Sequence, residues 1–185
     1  PFANDGDGGN FNIFNGHPQV VSSFNLRFSL SVPKAGKCPM PPQGYPIVLY
    51  AHGTGGDYQS YVYDGTARVL AQRCIASMGV DQIFHGTRPG APPPGSPESS
   101  VEVLFFNFEN PVAARTNPRQ GAIDEVQRKR LFTESMLTIP TAVSTNGAEI
   151  KFDATKILYF GHSQGGLSGP MFLASDGAAR GGVLS

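Results

Sequence analysis

Ser163 lies in the pentapeptide Gly161-His162-Ser163-Gln164-Gly165, directly after the apolar run Ile157-Leu158-Tyr159-Phe160 and before the helix-compatible stretch Leu167 to Ala174. The order predicts a strand, a sharp turn with the serine at its apex, and a helix, which is the form of a nucleophile elbow. Such a turn forces strained backbone and close chain approach, and Gly161, Gly165 and Gly166 permit both. In a chain with 23 glycines the pattern alone is weak, so its context matters. Far upstream, Ile47-Val48-Leu49-Tyr50-Ala51 runs into His52-Gly53-Thr54-Gly55-Gly56, a second strand that ends in a glycine-rich turn. A turn of that kind can aim backbone N–H groups at one point, as stabilisation of a developing oxyanion requires.

With these two motifs in this order, the chain resembles the α/β-hydrolase superfamily, and within it the secreted bacterial lipases and esterases. Asp81-Gln82-Ile83-Phe84-His85-Gly86, Phe106-Asn107-Phe108-Glu109-Asn110-Pro111 and Arg119-Gln120-Gly121 add to the resemblance, which covers most of residues 20–185. It implies an α/β fold, a mostly parallel sheet flanked by helices. Ser163 would be the nucleophile that forms an acyl-enzyme, and the Gln164 N–H one oxyanion donor. The second donor would be the backbone of Thr54, with Gly55 as the alternative. His52, Gly53 and Gly55 would shape the oxyanion loop, and Gly161, His162 and Gly165 the elbow. The substrate implied is a small-molecule or lipid ester.

The resemblance departs from the family after the elbow. The triad order is serine, then acid, then histidine, yet Ser163 is followed by one acid, Asp176, and by no histidine. Asp176 falls at the end of the helix that leaves the elbow, where it would point away from the site. The expectation is therefore a single incomplete α/β-hydrolase domain over 1–185, truncated after the elbow helix, with the triad acid and base beyond Ser185 and no activity in isolation. The alternative is a catalytically silent hydrolase-fold piece that serves binding or structure.

Any of the four histidines could in principle replace the missing base. His162 precedes the nucleophile and packs sideways in such turns. His52 opens the oxyanion turn, where a loop-fixing role through side-chain hydrogen bonds is favoured. His85 follows a strand end on the same rim and is a substrate-pocket candidate, and His17 has no evident partner.

A formal net charge of zero with 15% charged residues gives no footprint for nucleic acid. No segment is apolar and long enough to span a bilayer. Without a starting methionine or apolar leader, the chain reads as a processed or excised piece. Cys38 and Cys74, the two cysteines, precede neighbouring strands and are either a disulfide or two free thiols; a disulfide would suit a secreted or periplasmic protein. No metal or cofactor is assigned. Glu149 and Asp153 lack calcium-loop spacing, and Asp5-Gly6-Asp7-Gly8-Gly9-Asn10 lacks the later glutamate.

The positioning elements follow from pattern. Residues 1–46 hold early strands and loops, with Phe24 to Val32 alternating as an antiparallel strand ended by Pro33. Tyr58 to Arg73 predicts one helix with Val62, Ala67, Val69 and Leu70 on its apolar side, and Ile75 to Val80 the next parallel strand. Residues 84–117 predict an irregular insertion, because Arg88 to Pro97 is too rich in proline and glycine for regular structure. Within it, Val101 to Phe108 is either a lid that meets an acyl chain or ordinary packing onto the body. Asn117-Pro118 introduces a helix over Arg119 to Leu137, with Ile123, Val126, Leu131 and Phe132 inward and Asp124, Glu125, Arg128, Lys129 and Arg130 as its solvated face. Thr145-Asn146-Gly147-Ala148 marks a turn, and Gly181 to Ser185 the opening of a further strand.

Overall fold

Alternation of apolar side chains in the run that ends at Ala51 decides the layering. The computed structural model describes residues 9–175, 177 and 179–185. A short hairpin, β1 (Ile13–Phe14) and β2 (His17–Pro18), precedes β3 (Phe28–Ser31) and β4 (Tyr45–Ala51). Helices α1 (Ser60–Tyr63) and α2 (Thr66–Gln72) lead to β5 (Ala76–Val80). Helices α3 (Glu98–Phe106) and α4 (Pro111–Thr133) come next, then a 3-10 turn (Thr141–Val143), β6 (Phe152–Gly161), α5 (Gln164–Ser175) and β7 (Ala179–Leu184). The five-stranded sheet has the order β3-β5-β4-β6-β7. Only its first pair, β3 with β5, is antiparallel.

In β4, Tyr45, Ile47, Leu49 and Ala51 enter the main core together with Met78, Ile157, Tyr159, Phe132 and Phe172, while Tyr50 turns to the other face and packs with Tyr61, Ala67 and Phe160. This is the period-two consequence of a strand covered on both sides. Each fully buried large side chain of this core contributes about 1.5–3 kcal/mol.

β4 feeds β5 on one side, while β6, arriving later, pairs on the other, with Ala51 opposite Gly161. The ends of β4 and β6 therefore flank a topological switch point, where the connecting loops diverge and leave a crevice. Cys38 and Cys74 form a disulfide with Cα atoms 5.3 Å apart, which ties together the segments entering β4 and β5.

Several expectations need correction. The expected antiparallel strand is confined to Phe28–Ser31. The helix expected over Tyr58 to Arg73 is two helices, because Gly65 at φ +86° breaks it and the Asp64 carboxylate, which accepts from Tyr50 Oη, also accepts from the Thr66 N–H. Of the four apolar positions expected to face inward, Val62 and Val69 are exposed, Leu70 is half-buried and Ala67 is buried, while Tyr61 in α1 is buried as well. The 84–117 segment is irregular only as far as Pro97, since α3 and the first turns of α4 occupy the rest. Part of the Val101 to Phe108 segment packs: Phe105 of α3 is buried with Ile83 and Phe84, whereas Val103 and, beyond the helix, Phe108 face solvent.

Helix α4 begins well before Pro118. Asn110 caps it by accepting from the Ala113 N–H, Pro111 takes the first helical position, and buried Asn117 donates to the Leu104 and Phe105 carbonyls at the end of α3. These contacts hold the helix through a proline that removes one internal hydrogen bond. Nor is the charged set on α4 all solvated: Glu125 and Arg128 are buried and paired with each other. Asp5 to Gly8 and Asp176 lie outside the described residues.

Candidate active site

Ser163 occupies the turn between β6 and α5 with φ +49°, the left-handed region that a residue with a Cβ enters only under constraint. The constraint is visible in its neighbours. A Cβ on Gly161 would approach the Gly165 carbonyl oxygen to 2.5 Å, and one on Gly165 would collide with the Ala51 carbonyl. The His162 N–H donates to the Ala51 carbonyl and the Gly165 N–H to the His52 and His162 carbonyls, which binds the elbow to the end of β4. Ser163 and His162 are exposed, as an attacking hydroxyl at an apex must be.

The loop after β4 lies directly against that serine. A Cβ on Gly53 would sit 3.0 Å from Ser163 Cβ and 3.0 Å from His162 Cδ2, so glycine lets the loop come this close without displacing either side chain. Gly53 to Gly56 form a tight turn closed by the Gly56 N–H on the Gly53 carbonyl, with Gly55 at φ +80°. Among the described residues the N–H groups of Thr54 and Gln164 donate to no protein acceptor, whereas the Gly55 N–H donates to His85 Nε2 at 2.9 Å.

Three buried side chains join the loops that follow β4, β5 and β6. His52 Nε2 accepts from the Gln82 N–H at 2.9 Å, and its Nδ1–H donates to the Gly53 carbonyl at 2.7 Å. His85 has the same arrangement in the opposite direction, accepting from Gly55 and donating from Nδ1 to the Ile83 carbonyl at 2.8 Å. The two imidazoles meet edge to face with centroids 4.6 Å apart. Gln164 donates from Nε2 to the Ile83 carbonyl and accepts from the Thr54 hydroxyl. Burial, then the neighbouring His85, lowers the His52 pKa to about 3, so that ring is neutral at ordinary pH.

Beneath these loops lie ionic groups that no motif announced. Arg128 donates to Glu125 and from Nη1 to the Tyr50 carbonyl at 2.7 Å, binding α4 under the end of β4. Burial pushes the Glu125 carboxyl up and Arg128 opposes the shift. Asp81, fully buried at the end of β5, accepts from Arg27 Nε at 2.5 Å and from the Tyr58 N–H, while Arg88 pairs with Asp124. The only sequence signal for these was position: acids next to strand ends and a helix whose charges repeat at three residues. Beside Gly55 a groove of about 450 Å³ opens, lined by Arg27, His85, Pro92, Pro93 and Val101 among others.

No protein-family model and no curated protein matches the chain. Solved structures do. Acetyl xylan esterase from Paenibacillus sp. R4 superposes with a TM-score of 0.57 at 19% identity, over 86% of this chain and 43% of the esterase. The fold is that of the α/β hydrolases. DcsB, solved in complex with its substrate analogue, matches with a TM-score of 0.50 at 13% identity, over 84% of this chain and 43% of DcsB. A cold-adapted esterase from an Arctic intertidal metagenomic library reaches a TM-score of 0.47 at 17% identity, over 75% of this chain and 48% of that one. The chain thus spans less than half the length of these three proteins. Within the α/β-hydrolase fold, Ser163 stands at the turn that follows β6, and Gly53 to Gly56 at the loop across the switch point from it.

Proposed function

We propose that this chain carries the nucleophile and the oxyanion hole of a serine ester hydrolase. The observation that carries the reading is Ser163 itself, exposed in left-handed backbone and in contact distance of the Gly53 loop. Ser163 Oγ attacks the ester carbonyl, the tetrahedral oxyanion accepts hydrogen bonds from the Thr54 and Gln164 N–H groups, the alcohol leaves, and water releases the acid from the acyl-enzyme. The groove beside Gly55, walled by Pro92, Pro93 and Val101, supports a small-molecule or lipid ester as the substrate.

Ser163 needs a base, and the histidines here are otherwise engaged. The ring nitrogens of His52 and His85 bind backbone groups, His17 lies on the exposed hairpin, and the His162 ring covers Gly53. The base and its acid partner come from chain outside these 185 residues, so the 185-residue chain alone is inactive. The disulfide supports a secreted or periplasmic setting, where such bonds persist.

The test is hydrolysis of p-nitrophenyl esters by the full-length protein, its Ser163→Ala variant and the 185-residue chain. Loss of at least about a thousandfold in the variant is expected, with no turnover by the short chain beyond that of its own Ser163→Ala control. Undiminished turnover by the full-length variant would overturn the nucleophile assignment and favour a binding or structural role for the fold. Ser163-dependent turnover by the short chain would overturn the placement of the base.

A further inference from the structure

We infer that His85 is a positioning residue of the oxyanion hole, which selects the donor by holding the Gly55 N–H away from the reacting carbonyl. The inference rests on the esterase reading above and concerns the same site.

Two adjacent amides, of Thr54 and Gly55, stand in the turn beside Ser163, and the turn could offer either or both to one oxygen unless one of them is held elsewhere. His85 Nε2 accepts from Gly55 at 2.9 Å, while the Thr54 N–H is left without a protein acceptor among the described residues. The acceptor state of that nitrogen is enforced from the other side of the ring, because Nδ1 lies 2.8 Å from the Ile83 carbonyl and must donate to it. The proton therefore sits on Nδ1 and the lone pair on Nε2, the tautomer that can capture an amide.

His52 completes a reciprocal clasp. It belongs to the β4 loop and takes the Gln82 N–H of the β5 loop, as His85 belongs to the β5 loop and takes the Gly55 N–H of the β4 loop. Each ring fixes the loop that carries the other, and the rings touch. Gln164 adds a third tie between Thr54 and Ile83, so the Ile83 carbonyl receives both His85 and the residue that follows the nucleophile. Both donors of the hole are thereby referred to one carbonyl, and the Gly55 turn cannot shift while His85 holds it.

Two variants separate this role from packing. In the full-length protein, His85→Leu frees the Gly55 N–H, and His85→Gln replaces Nε2 with an amide oxygen of similar reach. With p-nitrophenyl acetate, His85→Leu should lower kcat about 10–100-fold with KM changed less than about twofold, below the 10²–10³ expected for removal of a donor outright. His85→Gln should restore most of kcat. Amide hydrogen exchange at Gly55, read by NMR, should be slow in the wild type and in His85→Gln and fast in His85→Leu. Unchanged kcat in His85→Leu, a loss confined to KM, or a Gln variant as impaired as the Leu variant while both remain folded by circular dichroism would overturn the inference. If the wild type shows no Ser163-dependent turnover, the esterase reading fails instead. In that case a protected Gly55 amide that becomes fast in His85→Leu would identify the clasp as purely structural, and a fast amide in the wild type would remove the clasp as well.

Discussion

The two flanks of Ser163 are built differently. Towards β5, the loops are joined by His52, His85 and Gln164, exposed by 1%, 3% and 1%, and these rest on the buried Glu125–Arg128 pair. Towards β7, the surface beside the elbow is open, with Leu167, Val183 and Leu184 at 49%, 55% and 44% exposure. The finished flank is the one that fixes backbone amides, and amides must be preorganised because they act by position alone. On the open flank the serine hydroxyl can be approached without displacing packed structure among the described residues.

The largest effect should come from the foundation of the finished flank. Glu125→Ala leaves the Arg128 guanidinium without its carboxylate in the interior, where an unpaired charge costs about 3–5 kcal/mol. Urea unfolding of the full-length protein should show this as a lower midpoint, while Glu134→Ala, which removes an exposed pair with Arg130 on the same helix, should leave the midpoint unchanged. Equal effects from the two would end the distinction between a buried foundation and a solvated surface on α4.

Next in size is the bond that ties the entries of β4 and β5, the strands whose ends carry the clasp. Replacing Cys38 and Cys74 together by alanine frees a loop of 36 residues and should cost about 2–4 kcal/mol. Because the bond lies at the opposite end of these strands from the clasp, kcat should hold under conditions where the variant remains folded. A fall in kcat at unchanged fold would mean the finished flank depends on the strands' far ends.

The clasp should also make stability depend on pH. The folded pKa of His52, about 3, is below the ordinary imidazole value of 6.5, so the unfolded chain binds more protons between the two and stability rises with pH across that window. The contribution is fully present above pH 6.5 and declines as pH falls towards 3. His52→Gln, which keeps an acceptor for the Gln82 N–H but does not titrate, should flatten the loss of stability between pH 7 and 4.5. A variant that keeps the wild-type slope would mean His52 is protonated in the folded protein.

The sequence revealed one half of this asymmetry better than the other. The elbow and the glycine turn were legible because steric need leaves few alternatives: Gly161 and Gly165 stand where a Cβ has no room, and one on Gly53 would press on Ser163 and His162. The clasp was not legible. His52 and His85 read as separate residues of two loops, and only the parallel pairing of β4 with β5 sets their rings 4.6 Å apart. The start of α4 is hidden for a similar reason, since Pro118 is a strong local stop that Asn110 and the contacts of Asn117 with α3 override. Residue type places Glu125 and Arg128 on the surface, whereas the carbonyls of Tyr50 and Met78 supply buried acceptors that no pattern along α4 encodes.

The smallest effect is expected on the open flank. Val183 projects from β7, an edge strand bonded on one side only, to β6. A lysine there meets water and discourages edge pairing, so Val183→Lys in the 185-residue chain should shift stability by no more than about 0.5 kcal/mol. A loss beyond about 1 kcal/mol would show that this flank is packed after all and that the two sides of Ser163 do not differ. The same substitution in the full-length protein then reports on what approaches the serine from that side. If the segment with the base packs along β7, the lysine is buried by it, and both stability and ester turnover should fall although no group that touches the substrate has changed.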